Sequence, residues 1–338
     1  MPYRRPPLLL ISFLLCTTCI LAAQASSGSS SSSSSKPAPP PGPPTATDRE
    51  MACPIDEDVA LSSRRCAGAR FLFEEVVQDP LAAILAGADI IESERASKAT
   101  NAVYPVVAIR THWMDNKITK ALTVDPELTQ VVLCGAGMDA RGHRLKELRQ
   151  CHIFELDVKP VLDYKSRILA SVTDRFPLLA RGMHRLITDF SDDVAWVNTL
   201  KSAGFDPRKK TIWILEGFLY YFEASRAQTL LRAIQAESAP GSILLADHIN
   251  DFTLTSLREQ ASNKWLTSTF SSAMEVPETA VADLGFEGVE VVTVGEEGAN
   301  FGLWGLPVVP RKEKKDFMRT YLFQARVGGK GEMDKNRD

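Results

Sequence analysis

The chain has 338 residues, 44% of them hydrophobic and 24% charged, which is material for one large folded unit or for one with an appendage. A formal net charge of -3 offers no basic field, so a nucleic-acid backbone is not an expected partner and a small molecule or a protein is. Of six cysteines, Cys16 and Cys19 lie in the N-terminal apolar run; the four others, Cys53, Cys66, Cys134 and Cys151, form no C-x-x-C pair, which argues against a structural zinc and a disulfide framework, and Cys134 and Cys151, inside apolar runs, read as reduced and buried.

Residues 1 to 47 contain no Asp or Glu, the first acid being Asp48. Arg4 and Arg5 precede an apolar run from Leu8 to Ala23, and a Ser tract and a Pro-rich stretch follow to Pro44. Basic start, apolar centre and small residues describe a secretory signal, while the Ser content and the missing acids equally describe a transit peptide. The run is short of the roughly 20 residues of a membrane span, so none is expected to remain in the mature protein. The linker before Asp48 is too polar and Pro-rich to build a core.

From residue 48 to 125 the pattern is helical, with apolar residues three and four apart at Phe71, Leu72, Val76 and Val77 and punctuation by Pro80 and Pro105, and predicts a helical cap. From 126 to 329, short β-rich runs alternate with amphipathic helices, the sequence form of a parallel sheet covered on both faces. The predicted strands are 131–134, 152–156, 185–188, 211–215, 243–246, 289–294 and 321–327. Helices are expected over 141–150, 161–176, 193–203 and 224–239. The last two strands form a hairpin without a helix between them, so the expected fold class is α/β, a Rossmann-like seven-stranded sheet, and this strand pattern resembles the class I methyltransferase sheet. A polar segment from Asp251 to Glu275, with Trp265 and Phe270 interleaved, predicts a lid, and the tail from Lys330 predicts disorder.

Val131 to Ala140 reads as a buried strand entering a glycine turn, where Gly135 and Gly137 let the backbone approach a ligand. Asp157 closes the next strand twenty positions after Gly137, where a carboxylate reaches two ribose hydroxyls. Together they point to an adenosine nucleoside. The same glycines also satisfy a dinucleotide fingerprint, but no catalytic arrangement for hydride transfer accompanies them.

Arg110-Thr111, VVLCGAGMDARGHRL, FELDVKPVLDYK, ITDF and AGFDPRKKTIWILEGFLYYF together resemble the leucine carboxyl methyltransferase family, and more closely its bacterial and plant branch, strongly over 110–222 and weakly on the flanks. The resemblance implies S-adenosyl-L-methionine as cofactor and no metal. It implies that Arg110 grips the methionine carboxylate, that Asp157 holds the ribose, that Asp189 and the backbone at Phe190 meet the adenine, and that Glu216 sits near the methionine amino group or sulfonium. Phe190 stands where the family has Leu. The cofactor, held in cytosol and organelles, shifts the expected destination of the first 47 residues to an organelle, a plastid foremost, over secretion.

Methyl transfer to a carboxylate needs no base, whereas a hydroxyl acceptor gains from one. Tyr220, Tyr221, Asp247 and His248 follow the fourth and fifth strands at the ligand-binding ends of the sheet, and Tyr220 and His248 are the candidate catalytic residues; His112 is a further candidate. The expected activity is O-methylation of a small acceptor, with methylation of a protein C-terminal carboxyl, or nucleoside binding without turnover, as the alternatives.

Overall fold

A computed structural model describes residues 54–99, 105–192, 194–259, 269–312 and 316–329. The expected targeting segment and linker, Trp265 and the tail from Lys330 lie outside the described residues.

The N-terminal helices come first: α1 (Pro54–Leu72), two short turns α2 (Glu74–Val77) and α3 (Ala82–Ala86), α4 (Ala88–Ala99) and α5 (Val106–Val124). Pro80 and Pro105 fall at breaks between helices, because proline lacks the amide that helix continuation needs.

The sheet comprises β1 (Gln130–Cys134), β2 (His152–Asp157), β3 (Gly182–Ile187), β4 (Thr211–Leu215), β5 (Ile243–Ile249), β6 (Phe286–Thr293) and β7 (Thr320–Val327), in the order β3-β2-β1-β4-β5-β7-β6. The first five run parallel, and β7 is antiparallel to both its neighbours. This is the seven-stranded α/β sheet expected from the alternation of runs. No described helix is long and apolar enough to cross a membrane.

Successive residues of the central strands bury on opposite faces. Val131, Leu133, Ile212, Ile214 and Leu245 pack with Ile109, Trp113 and Met114 of α5. Val132, Cys134, Trp213, Leu215 and Leu244 pack on the other face with α8 (Ala195–Ser202) and α9 (Ala224–Ala236). Covered on both sides, these strands are continuously apolar rather than alternating, and Cys134 and Cys151 are buried in the core.

Several boundaries differ from the sequence reading. The helix expected over 141–150 is a single turn, α6 (Arg141–Arg144), followed by a 3-10 turn over Lys146–Gln150, with Leu145 extended between them. The reason is tertiary: the Gly142 carbonyl accepts the amides of Leu179 and Ala180, so it is not available to continue the helix. Helix α7 (Lys159–Ala170) ends before the expected 176. Strand β3 starts earlier and ends earlier than expected, leaving Asp189 two residues beyond it. Helix α8 spans 195–202 rather than 193–203, and Asp193 lies outside the described residues. Of the expected lid, α10 (Asp251–Glu259) and residues 269–275 are described.

Candidate active site

Strand β1 lies between β2 and β4, so the connections leave it in opposite directions and open a crevice at its carboxyl end. A cavity of about 580 Å³ occupies that crevice. Gly135, Gly137, Asp157, Asp189, Phe190, Arg110, Glu216 and Tyr220 all line it.

The glycine turn forms the floor. The amides of Gly135 and Ala136 both donate to the Leu156 carbonyl, at 2.9 and 3.1 Å, which ties the turn to β2. Gly135 and Gly137 have φ of 68° and 47°, a region that disfavours side chains. At Gly135 a Cβ would lie 2.4 Å from the Phe218 ring, and at Gly137 it would lie 3.1 Å from Ser63 of α1. Asp157 accepts the amide of Gly137 and that of Val158, each at 2.7 Å. Burial pushes its carboxyl up to about 6, with those two amides acting in the other direction.

Beyond the floor, Asp189 is exposed at the rim and accepts the Ser191 amide at 2.8 Å. Phe190 is buried, its ring 4.8 Å from that of Phe218, and its carbonyl accepts from Arg226 of α9. These groups form an apolar slot with one carboxylate at its edge.

At the opposite end the cavity is ionic. Arg110 of α5 is 3% exposed; its Nε donates to Glu216 Oε1 at 3.2 Å, and its Nη1 to Asp247 Oδ2 at 3.1 Å and to the Tyr220 hydroxyl at 3.3 Å. Burial opposes its charge, but Asp247, Tyr220 and Glu216 more than offset it and hold the guanidinium protonated. Glu216 also accepts the Thr111 hydroxyl at 2.6 Å and pairs with Arg141 at 2.7 Å. Burial alone would raise its carboxyl; Arg141 and Arg110 bring it well below the usual range. Gly217, with φ of 66°, permits this crowding, since a Cβ there would lie 2.9 Å from Arg110 Nη2.

Between these ends, Ser62 and Cys66 of α1, Tyr220, Tyr221, Thr269 and Ser271 enclose the remaining space. The Ser62 and Tyr221 hydroxyls are 3.3 Å apart, and the rings of Tyr220 and Phe270 are 4.4 Å apart. The described end of the expected lid therefore contributes a wall.

His248 does not line the cavity. It sits behind Tyr220, ring centroids 6.2 Å apart, with Nδ1 accepting the Ile249 amide at 3.0 Å and burial pushing its imidazole down to about 4. Asp247 turns instead to Arg110 and the Gly217 amide, so the adjacent pair is divided between two environments. His112 packs edge-on to Phe301 and also lies off the cavity. Residues that sequence reasoning passed over are Ser62, Ser63, Cys66 and Arg70 from α1, with Asp139, Gly217 and Phe218. Asp139 and Gly217 carried a signal in their places beside Gly137 and Glu216; the α1 residues carried none, because nothing local shows that this helix folds over the crevice.

Residues 63–235 match the family model described as leucine carboxyl methyltransferase. The chain belongs to that family. A Mycolicibacterium gilvum protein named "Putative S-adenosyl-L-methionine-dependent methyltransferase" is 32% identical over 187 residues, 55% of this chain and 60% of its own length. A Mycolicibacterium smegmatis protein of the same description is 33% identical over 207 residues, 61% of this chain and 64% of its own. The matches thus span less than two thirds of those relatives' length. A crystal structure of a DUF574 family protein from Streptomyces avermitilis is similar at a TM-score of 0.48 and 14% identity, over 76% of this chain and 96% of that one.

Proposed function

We propose that the protein is an S-adenosyl-L-methionine-dependent methyltransferase that methylates an oxygen of a small acceptor. The observation that carries this reading is the polarity of the cavity: a glycine turn and Asp157 at one end, and the Arg110 and Glu216 pair at the other. The residues present fit that cofactor. Gly135 and Gly137 would let the backbone approach a nucleoside, Asp157 would hold its ribose, Asp189 and the Phe190 slot would hold its base, and Arg110 and Glu216 would offer opposite charges to a carboxylate and an ammonium. The bound cofactor would supply a methyl group on a sulfonium, which leaves as a neutral thioether.

The chain's contribution is to position and to exclude water. Tyr220, Tyr221, Ser62, Thr269 and Ser271 bound the space beside the ionic end, where an acceptor would lie. Among the described residues lining it, none is placed as a free base: the Tyr220 hydroxyl is held by Arg110 and pushed by burial well above its ordinary range, and Glu216 is shared by two arginines. This favours an acceptor oxygen that arrives ionised, a carboxylate before a hydroxyl. Methyl transfer from S-adenosyl-L-methionine is supported by the names the relatives carry, and a carboxylate acceptor by the description of the family.

Calorimetric titration tests it. S-adenosyl-L-methionine is expected to bind the wild type, and Asp157→Ala is expected to weaken binding by about tenfold or more, the value of a charge-assisted hydrogen bond. NAD binding without S-adenosyl-L-methionine binding would exclude the proposal.

A further inference from the structure

Arg141 follows the glycine turn at the start of α6. It does not line the cavity and is 2% exposed, yet its guanidinium reaches three carboxylates. Nε donates to Asp115 of α5 at 2.6 Å, Nη1 bonds Asp139, and Nη2 meets Glu216 Oε2 at 2.7 Å. Two of those partners, Asp139 and Glu216, are wall groups of the cavity.

Glu216 is the junction. One of its oxygens takes Arg110 Nε and the Thr111 hydroxyl, and the other takes Arg141. A carboxylate matches a guanidinium best through two parallel hydrogen bonds, and a buried carboxylate relieved of its second cation is free to take up that geometry with the first. In this protein the two oxygens are instead divided between two arginines.

We infer that Arg141 is a positioning residue that holds Glu216 away from a two-pronged pair with Arg110, so that the Arg110 guanidinium stays available to the carboxylate of a ligand's amino-acid tail. The inference rests on the reading that the site takes S-adenosyl-L-methionine. It assigns Arg141 to one end of the ligand: a nucleoside without that tail gains nothing from Arg141. A purely structural arginine would treat both ligands alike. Arg144 supplies the comparison, because it shares Asp115 with Arg141, at 2.7 and 3.1 Å, and lies 3.9 Å from Asp79, but has no bond to Glu216.

The test is titration of S-adenosylhomocysteine and of 5′-methylthioadenosine, which keeps the nucleoside and lacks the amino-acid tail, into wild type, Arg141→Gln, Arg141→Lys and Arg144→Gln. Arg141→Gln is expected to weaken S-adenosylhomocysteine about tenfold or more and methylthioadenosine less than about twofold. Arg144→Gln is expected to change the two affinities by the same factor. Equal losses for both ligands in Arg141→Gln, or no loss, would overturn the inference while leaving the cofactor reading intact; a wild type that binds neither ligand would overturn both. If the glutamine variant fails to fold, Arg141→Lys, which keeps the charge but cannot span three carboxylates, is expected to show the same ligand-selective loss in smaller measure, and equal losses there would be decisive against it.

Discussion

At the scale of single residues, the site depends on places where a side chain is absent. Gly135 combines a left-handed backbone with a Cβ direction blocked by Phe218 at 2.4 Å, so Gly135→Ala meets both conformational strain and overpacking. We expect it to cost on the order of 2 kcal/mol or more of stability by denaturant titration and to abolish measurable cofactor binding, since relief requires Phe218 to move into the cavity. Native-like stability with unchanged affinity would show that the turn has room to spare. The glycine spacing and the acid twenty positions on were legible because they are local consequences of one strand, one turn and the next strand. His248 was not: its address at a strand end was right, but the packing of Tyr220 in front of it belongs to another part of the chain.

At the scale of elements, the N-terminal helices contain a buried carboxyl that opposes them. Glu94 of α4 is 4% exposed, its Cγ 3.1 Å from the Cβ direction of Gly68 in α1, and burial raises its carboxyl to about 7, with Arg65 acting to lower it. A carboxyl raised in the folded state binds more protons there than in the unfolded chain, so the stability it confers is present below about pH 4 and is lost as pH rises to about 7. The difference is on the order of 3 kcal/mol. Glu94→Gln, fixed in the neutral form, is therefore expected to raise Tm by a few degrees at pH 8 relative to wild type and to leave it nearly unchanged near pH 4. A variant of lower Tm at pH 8 would mean that the ionised carboxylate is stabilising. The broken helix over 141–150 belongs to this scale as well. Its apolar spacing reads as helical, and the two amides that capture the Gly142 carbonyl lie more than thirty residues downstream, where periodicity has no access to them.

At the scale of the whole molecule, the sheet supplies one side of the cavity and α1 supplies the other. Ser62, Ser63, Cys66 and Arg70 all line it, and Arg70 joins the two bodies by donating to Asp79 at 2.9 Å and to the Met138 carbonyl at 2.6 Å. Deleting residues through Leu72 is expected to remove cofactor binding even where the sheet remains folded by circular dichroism, because the wall that excludes water is gone. Retained affinity in that truncation would reduce α1 to a surface helix.

Sequence alone determined the alternation of strands and helices, the glycine turn and the acids at the strand ends, because hydrophobic period and turn chemistry act between near neighbours. Tertiary structure decided which charges meet. Arg110 to Glu216 spans 106 positions, Arg110 to Asp247 spans 137 and Ser62 to Tyr221 spans 159, and only the packing of the helices on the sheet brings them within hydrogen-bond reach. Pairing of buried charges depends on distance in space and on exclusion of water, neither of which has a signature along the chain.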